Sequence, residues 1–303
     1  MLFFISVNTA EILNNYLQKT MKNEIIKLFR NELTGMYVSD DTIEEILDDE
    51  ENHFISRIED SKLIGVSVIN RNTIYLLLVD KVYQRQGVGT FLLEESEKYI
   101  KSKGFNECKL GAGKEYIVPG VPMNENAHLF FKKHNYVHSW GDQHCIDLDI
   151  SLDDFIYDKN IVGDIVDGIL YRFATPDDVE GIVDCCKEDT SSFIEHYRND
   201  SLYEPDSSDP VIVAEKDGEI VAALMIGVES GDAGIGYAGC IITAPSHRGK
   251  GIATTLLKIG TTHMKNMGRK RVWLSYTYTA IENTYKKLGY KICMEYFMGQ
   301  KEL

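Results

Sequence analysis

A segment near residue 87 recurs 164 residues later, and this repeat restricts what the chain can fold into. YQRQGVGTFLL (Tyr83–Leu93) superposes on HRGKGIATTLL (His247–Leu257), with Gly87 on Gly251, Gly89 on Ala253, Leu92 on Leu256, Leu93 on Leu257 and Gly104 on Gly268. A glycine before and a glycine after an apolar stretch of equal length thus agree in both copies. The offset is about half of the 303 residues, so the repeating unit has the size of a domain and is far longer than a solenoid repeat. The repeat predicts two copies of one fold, over 1–150 and 169–303. Residues 151–168, with five Asp and no strong period, form the expected linker.

The second copy opens with a strand over Ile169–Ala174. Thr175-Pro176-Asp177-Asp178 then starts a helix, with Thr as N-cap, Pro at the first position and acids at the positive helix end. Val211–Glu215 and Ile220–Val228 flank Asp217-Gly218, a hairpin signal. A strand over Ile235–Thr243 leads to Gly251, after which Ile252, Leu256, Leu257, Ile259 and Met264 keep helical spacing until Gly268. A strand over Val272–Tyr276, a short helix over Ala280–Leu288 and a last stretch from Tyr290 finish this sheet.

The first copy follows the same order: helix Thr9–Phe29, an acidic helix, strands His53–Ile58, Leu63–Ile69 and Thr73–Val79, helix Gly87–Lys103 and strand Glu107–Leu110. A long loop, Gly111–Asn124, and helix Asn126–His134 come next, and Tyr136–Trp140 with His144–Ile150 read as a closing hairpin. The fold class is therefore α/β (α+β), with a mixed, mostly antiparallel sheet flanked by helices in each half.

Each copy places a strand, a short loop and a glycine before an apolar helix. Unpaired backbone N–H groups and the positive helix end suit that position to an anion, and glycine lets a phosphate approach the backbone. Two phosphate loops are excluded by their own requirements. A P-loop needs Gly-Lys-Ser/Thr, but Gly251 follows Gly249-Lys250; a dinucleotide fingerprint needs a third glycine, where this chain has Leu92 and Thr254.

The spacing that fits is Gln/Arg-x-x-Gly-x-Gly/Ala, as Gln84-Arg85-Gln86-Gly87-Val88-Gly89 and Arg248-Gly249-Lys250-Gly251-Ile252-Ala253. It resembles the coenzyme A pyrophosphate loop of the GNAT N-acetyltransferase superfamily. The likeness extends to that superfamily's closing signature, Asn-x-x-Ala-x-x-Leu-Tyr-x-Lys-x-Gly-Phe. The first copy has Asn124, Ala127, Phe130, Phe131, Lys133, Asn135 and Tyr136; the second has Thr284, Tyr285, Lys287, Gly289 and Tyr290.

The resemblance implies acetyl-CoA as co-substrate, held by both loops, with carbonyl-binding backbone near Val79 and Thr243 and a further contact at Asn124. It implies that Tyr285 protonates the departing thiolate. Phe131 takes that place in the first copy and carries no proton. The superfamily often draws its base from the strand before the loop, but Ile235–Thr243 offers only Tyr237 and Cys240, and Thr73–Val79 only Tyr75. Glu229, Glu195 and His196 are base candidates by loop position alone.

Composition narrows the acceptor. Thirty-two Lys and Arg against 47 Asp and Glu leave a formal charge of −15, without a basic stripe, which argues against nucleic acid and favours cationic partners. Eight acids in Asp40–Glu51, with Ile43, Ile46 and Leu47 as a narrow stripe, read as a solvated helix with one buried edge. The six cysteines have no zinc spacing, and His134 and His138 are separated by a helix end, so no metal is expected. The longest apolar run, Ile220–Val228, is too short for a membrane span, and the thiols and the signal-free start suggest a cytoplasmic protein.

Forty-seven residues separate Gln84 from Phe131, against 37 between Arg248 and Tyr285, and the rigid stretch Tyr116–Pro122 lies in the difference. The expected function is acetyl transfer to a small amine or a protein amino group, with the second copy active. Two alternatives stay open: a first-copy site built from Gln84–Gly89, Asn124 and the Pro-Gly loop, or a non-catalytic acyl-CoA-binding or regulatory protein.

Overall fold

Strands and helices alternate in both halves as the apolar periodicity requires. The computed structural model describes residues 9–111, 118–124, 126–153, 155–156, 162–187, 190–204, 207, 209–228 and 234–303; the side chains of 9–20 and 280 fall outside that description. The chain forms two compact units, Met1–Asp142 with Tyr296–Leu303, and Gln143–Glu295.

In the first unit, α1 (Thr9–Glu32) and α2 (Asp40–Leu47) precede three antiparallel strands, β1 (Asn52–Glu59), β2 (Lys62–Asn70) and β3 (Thr73–Val79). Ser39 caps α2 by accepting the Thr42 N–H, and Ile43, Ile46 and Leu47 are buried, as the narrow stripe predicts. Helix α3 (Val88–Ser102) crosses over to β4 (Glu107–Leu110), which runs parallel to β3. Then come β5 (Val121–Pro122), α4 (Ala127–Lys133) and β6 (Val137–His138).

The second unit begins with β7 (Cys145–Ser151), the hairpin β8 (Ile165–Val166) and β9 (Ile169–Phe173), and the helices α5 (Val179–Cys186) and α6 (Ile194–Tyr197). Strands β10 (Val211–Lys216), β11 (Glu219–Val228) and β12 (Ile235–Thr243) lead to α7 (Ile252–Asn266), β13 (Arg271–Tyr278), α8 (Glu282–Lys286) and β14 (Lys291–Phe297). The strand order is β14-β7-β13-β12-β11-β10-β9-β8, parallel at β12–β13 and antiparallel from β8 through β12 and at β13–β7.

Local chemistry fixes this sheet. Thr175 and Asp178 form a capping box, and Asp178 also accepts two Arg172 N–H groups at 2.7 and 2.8 Å. Arg172 reaches Glu215 on β10 as well, at 2.7 Å. The Arg172 bond holds the Asp178 carboxyl below the usual carboxylate range. Helix α7 presses so closely on β11 that a Cβ at Gly260 would lie 2.8 Å from Ile226 Cγ2 and 3.0 Å from Leu224 Cδ2. That contact, with Leu256 and Leu257 fully buried, seats the start of α7 beyond the end of β12.

The chain then returns to the first unit. Strand β15 (Gly299–Glu302) inserts between β4 and β6, giving the order β1-β2-β3-β4-β15-β6. Lys301 secures it to α3 through Glu97 at 2.7 and 2.8 Å.

Three expectations are corrected. Tyr136–Trp140 and His144–Ile150 do not form a closing hairpin: Val137–His138 pairs with Gly299–Gln300, and Cys145–Ser151 pairs with β13. Residues 145–150 are buried, and Ile146, Leu148 and Ile150 belong to the second unit's core. Their strand therefore needs the second sheet on both sides of its backbone. The boundaries 1–150, 151–168 and 169–303 shift accordingly, because Leu152 is buried in the second core, β8 pairs with β9, and the residues from Tyr296 belong to the first unit. Nor does the stretch from Tyr290 to the C-terminus serve the second sheet alone, since its last strand closes the first.

A chain truncated after Met298 is expected to lose amide-exchange protection in β4 and β6, which flank β15, while β10–β12 keep theirs. Unchanged protection in β4 would show that β15 is dispensable to its sheet.

Candidate active site

The two glycine loops have one backbone design. In the second unit a 3-10 turn, Pro245–His247, leads to Gly249 at φ +73° and Gly251 at φ +80°, and α7 starts at Ile252. In the first, the turn Lys81–Tyr83 leads to Arg85 at φ +63° and Gly87 at φ +87°, and α3 starts at Val88. Both helices lack a side-chain cap, and a Cβ at Gly87, Gly249 or Gly251 would have no atom within 4 Å. Free backbone N–H groups at an open helix start suit a bound anion such as a pyrophosphate.

The polar side chains of the loops turn back on their own backbone at equivalent positions. Gln84 Nε2 donates to the Val79 carbonyl at 3.0 Å, and Arg248 Nε to the Thr243 carbonyl at 2.9 Å. Gln86 Nε2 donates to the Val82 carbonyl at 2.8 Å, as Lys250 Nζ does to that of Ser246 at 3.0 Å. These side chains brace the loops. At the foot of the loop the copies differ. The Glu32 carboxylate stands at the foot of the first loop, where it accepts the Lys81 N–H at 3.0 Å and Gln84 Nε2 at 2.9 Å.

Each loop follows a split in its sheet. Strands β12 and β13 pair only over Ile235–Tyr237 with Arg271–Trp273, and β3 and β4 only over Thr73–Ile74 with Lys109–Leu110. Beyond those pairs the strands diverge, and the rest of β12 has no strand partner on that side. In the second unit both strands carry an irregularity there: Cys240 at φ +48° on β12 and Tyr276 at φ +55° on β13. Strand β3 has no left-handed residue. Thr243 ends β12 with its Oγ1 buried and without a hydrogen-bond partner among the described residues.

Tyr285 projects from α8 into the second core, 2% exposed, with its ring edge-on to Tyr290 at 6.1 Å. Burial pushes its pKa up, against a smaller lowering influence of Thr277 on β13, so it keeps its proton at neutral pH. Phe131 lies in the first core, 6% exposed and edge-on to Tyr136. Its neighbour Phe130 reaches the start of α3, 3.6 Å from where a Cβ of Gly89 would be.

The remaining sequence candidates are not drawn into the split. Asn124 is exposed between β5 and α4. Glu195 and His196 are exposed on α6, Glu195 lying 3.6 Å from Arg198. Glu229 lies outside the described residues, as do Tyr116 and Ile117 of the Tyr116–Pro122 stretch. Cys240, which the sequence noted without a role, is the residue at the β12 irregularity, and burial pushes its thiol up to about 12. Such a thiol is a poor nucleophile at neutral pH. Among the described residues no group of three His, Cys, Asp or Glu could hold a metal ion, and no helix is long and apolar enough to cross a membrane.

A helix-start anion loop at the mouth of a split parallel strand pair, present twice, defines an α/β protein with two candidate anion sites. Family models agree: one described as acetyltransferase (GNAT) family matches residues 178–290, and one described as acetyltransferase (GNAT) domain matches residues 17–117. The chain belongs to the GNAT acetyltransferase family and carries its domain in tandem.

No curated protein matches the chain by sequence. Among solved structures it is similar to a GCN5-related glucosamine N-acetyltransferase region of a fungal multi-domain GH3 beta-N-acetylglucosaminidase, at 19% identity and TM-score 0.74. That match covers 92% of this chain and 37% of the fungal one. A GCN5-related N-acetyltransferase from Sphaerobacter thermophilus is similar at 18% identity and TM-score 0.65, over 92% of this chain and 91% of that one. A tandem GNAT protein from the clavulanic acid biosynthesis pathway is similar at 12% identity and TM-score 0.67, over 94% and 95%. At these identities the likeness is one of fold.

Replacing Gly251 by Val forces a β-branched residue to positive φ, which costs about 1–3 kcal/mol. Gly251→Val is expected to weaken coenzyme A binding by roughly tenfold or more, whereas Lys250→Ala, which removes one strut, changes it far less. Calorimetry giving the reverse order would contradict a backbone-made anion site.

Proposed function

We propose that the chain is an acetyl-CoA-dependent N-acetyltransferase that transfers directly to an amine, with the second unit as the working site. The observation that carries this reading is the combination, in one unit, of the Gly249–Gly251 loop, the irregular strands β12 and β13 at its split, and a buried, protonated Tyr285. The first unit shares the loop but has Phe131 for the tyrosine and Glu32 beside its loop, so it is read as a scaffold or a second coenzyme site.

The bound thioester supplies an activated acyl carbonyl. The N–H groups of Gly249–Ala253 hold its pyrophosphate, and the unpaired edge of β12 towards Thr243 offers backbone N–H groups to the carbonyl oxygen as charge develops there. The acceptor must arrive neutral, and a lysine-like amine starts near pKa 10.4, so a base or a water path takes its proton. As the C–N bond forms and the C–S bond breaks, the Tyr285 hydroxyl gives its proton to the sulfur, and the proton that the acylated nitrogen loses returns through water to the Tyr285 oxygen. A cationic acceptor, either a small-molecule amine or a protein amino group, suits the formal charge of −15; neither nucleic acid nor a membrane is part of this reading, which places the protein in the cytoplasm.

Positioned acid catalysis is typically worth about 10²–10⁴-fold. Tyr285→Phe is therefore expected to lower kcat by about tenfold or more with coenzyme A affinity unchanged, assayed over polyamines, aminoglycosides, amino acids and peptides. Full activity in Tyr285→Phe together with none in Gly87→Val would move the active site to the first unit.

A further inference from the structure

Cys240 and Tyr276 are side-chain-bearing residues held at φ +48° and +55° in the middle of strands. Bulky residues persist at positive φ only where their surroundings over-determine them. Each of these two has such a restraint, and in each case it is a buried polar side chain. On the β12 side, Tyr197 of α6 is 0% exposed and its hydroxyl donates to the Cys240 carbonyl. On the β13 side, Asp147 of β7 is 2% exposed and its Oδ1 accepts the Tyr276 N–H at 3.0 Å.

The peptide unit is planar and trans, so fixing the Cys240 carbonyl also fixes the direction of the Ile241 N–H. That group lies on the stretch of β12 that has no partner strand across the split. Tyr203, in the same cluster, donates to the Tyr197 backbone carbonyl at 2.6 Å, a bond to helix α6 and not to the ring hydroxyl. Burial keeps the Tyr197 phenol protonated, so it stays a donor throughout the neutral range. Neither Tyr197 nor Asp147 has a reason to be polar in terms of packing alone. A buried hydroxyl or carboxylate is costly unless it is bonded, and here Tyr197 bonds to one irregular peptide and Asp147 to the other.

We propose that Tyr197 and Asp147 are positioning residues that hold the β12 and β13 edges of the split in the geometry that polarises an acyl thioester carbonyl. This rests on the second unit being the transferase. Neither residue touches substrate; both act through the backbone they hold.

The test uses acetyl-CoA isotope-labelled at its acetyl carbonyl and needs no acceptor. Infrared difference spectra report carbonyl polarisation as a downshift of the stretch on binding, and calorimetry reports affinity separately. The wild-type protein is expected to bind and to lower the stretch. Tyr197→Phe keeps the ring and removes only the hydroxyl, so it is expected to lose most of the downshift with affinity unchanged. Tyr203→Phe removes a hydrogen bond of the same kind in the same cluster and is expected to keep the downshift, whatever it does to Tm.

Asp147→Leu, which has no acceptor atom, is expected to lose the shift, and Asp147→Asn, which keeps an oxygen, to retain it. These variants decide the matter if Tyr197→Phe does not fold. A full downshift in Tyr197→Phe or Asp147→Leu, or an equal loss in Tyr203→Phe, overturns the inference and leaves the transferase reading standing. Wild-type binding without any downshift also overturns it. Failure of the wild-type protein to bind acetyl-CoA overturns the transferase reading, and this inference with it.

Discussion

Parallel pairing between β12 and β13 lasts for three residue pairs, and the second unit's chemistry depends on its stopping there. A continued ladder would spend the backbone N–H and C=O groups of Ala238–Thr243 on a neighbouring strand. Because the strands part, one edge of β12 is left for another partner, and the helix that follows begins beside it. The close approach of α7 to β11 at Gly260 fixes where that helix starts. The loop glycines at positive φ then help connect strand end to helix start in eight residues, without a side-chain cap that would compete with a ligand.

Both sheets are completed by strands from elsewhere in the chain. β7 follows the first unit in sequence yet pairs with β13, and β15 follows the second yet pairs with β4 and β6. Asp147 arrives on β7, so the residue that accepts the Tyr276 N–H comes from a strand outside the repeated segment. The copies are consequently alike in their loops and unlike in what surrounds their splits. Glu32 on one side, and Tyr197, Asp147 and Tyr285 on the other, are where the duplicated frame has diverged.

The loops were legible because a glycine before an apolar helix has few physical reasons to recur at one offset. Strand β3 and strand β12 were legible to the residue, since their apolar patterns end at the turns that follow. The neighbours of β7 and β15 were not, because a period-two pattern says which face is buried and is silent about which strand lies alongside. Arg85, Cys240 and Tyr276 hid their backbone state, as only glycine, asparagine and aspartate advertise a positive φ in sequence. Tyr197 was passed over although Glu195 and His196 beside it were singled out: the polar pair proved exposed, while the tyrosine turned inward to the Cys240 carbonyl. Tyr285 was found by resemblance, and its burial in the second core could not have been read from spacing.

The most direct measurement is a crystal structure of the protein grown with acetyl-CoA. The account predicts density for the pyrophosphate within hydrogen-bond distance of the Gly249–Ala253 amides, with the thioester between β12 and β13 beside Cys240 and its sulfur within reach of the Tyr285 hydroxyl. Coenzyme bound at Arg85–Gly89 alone, or a thioester lying outside the β12–β13 split, would contradict it.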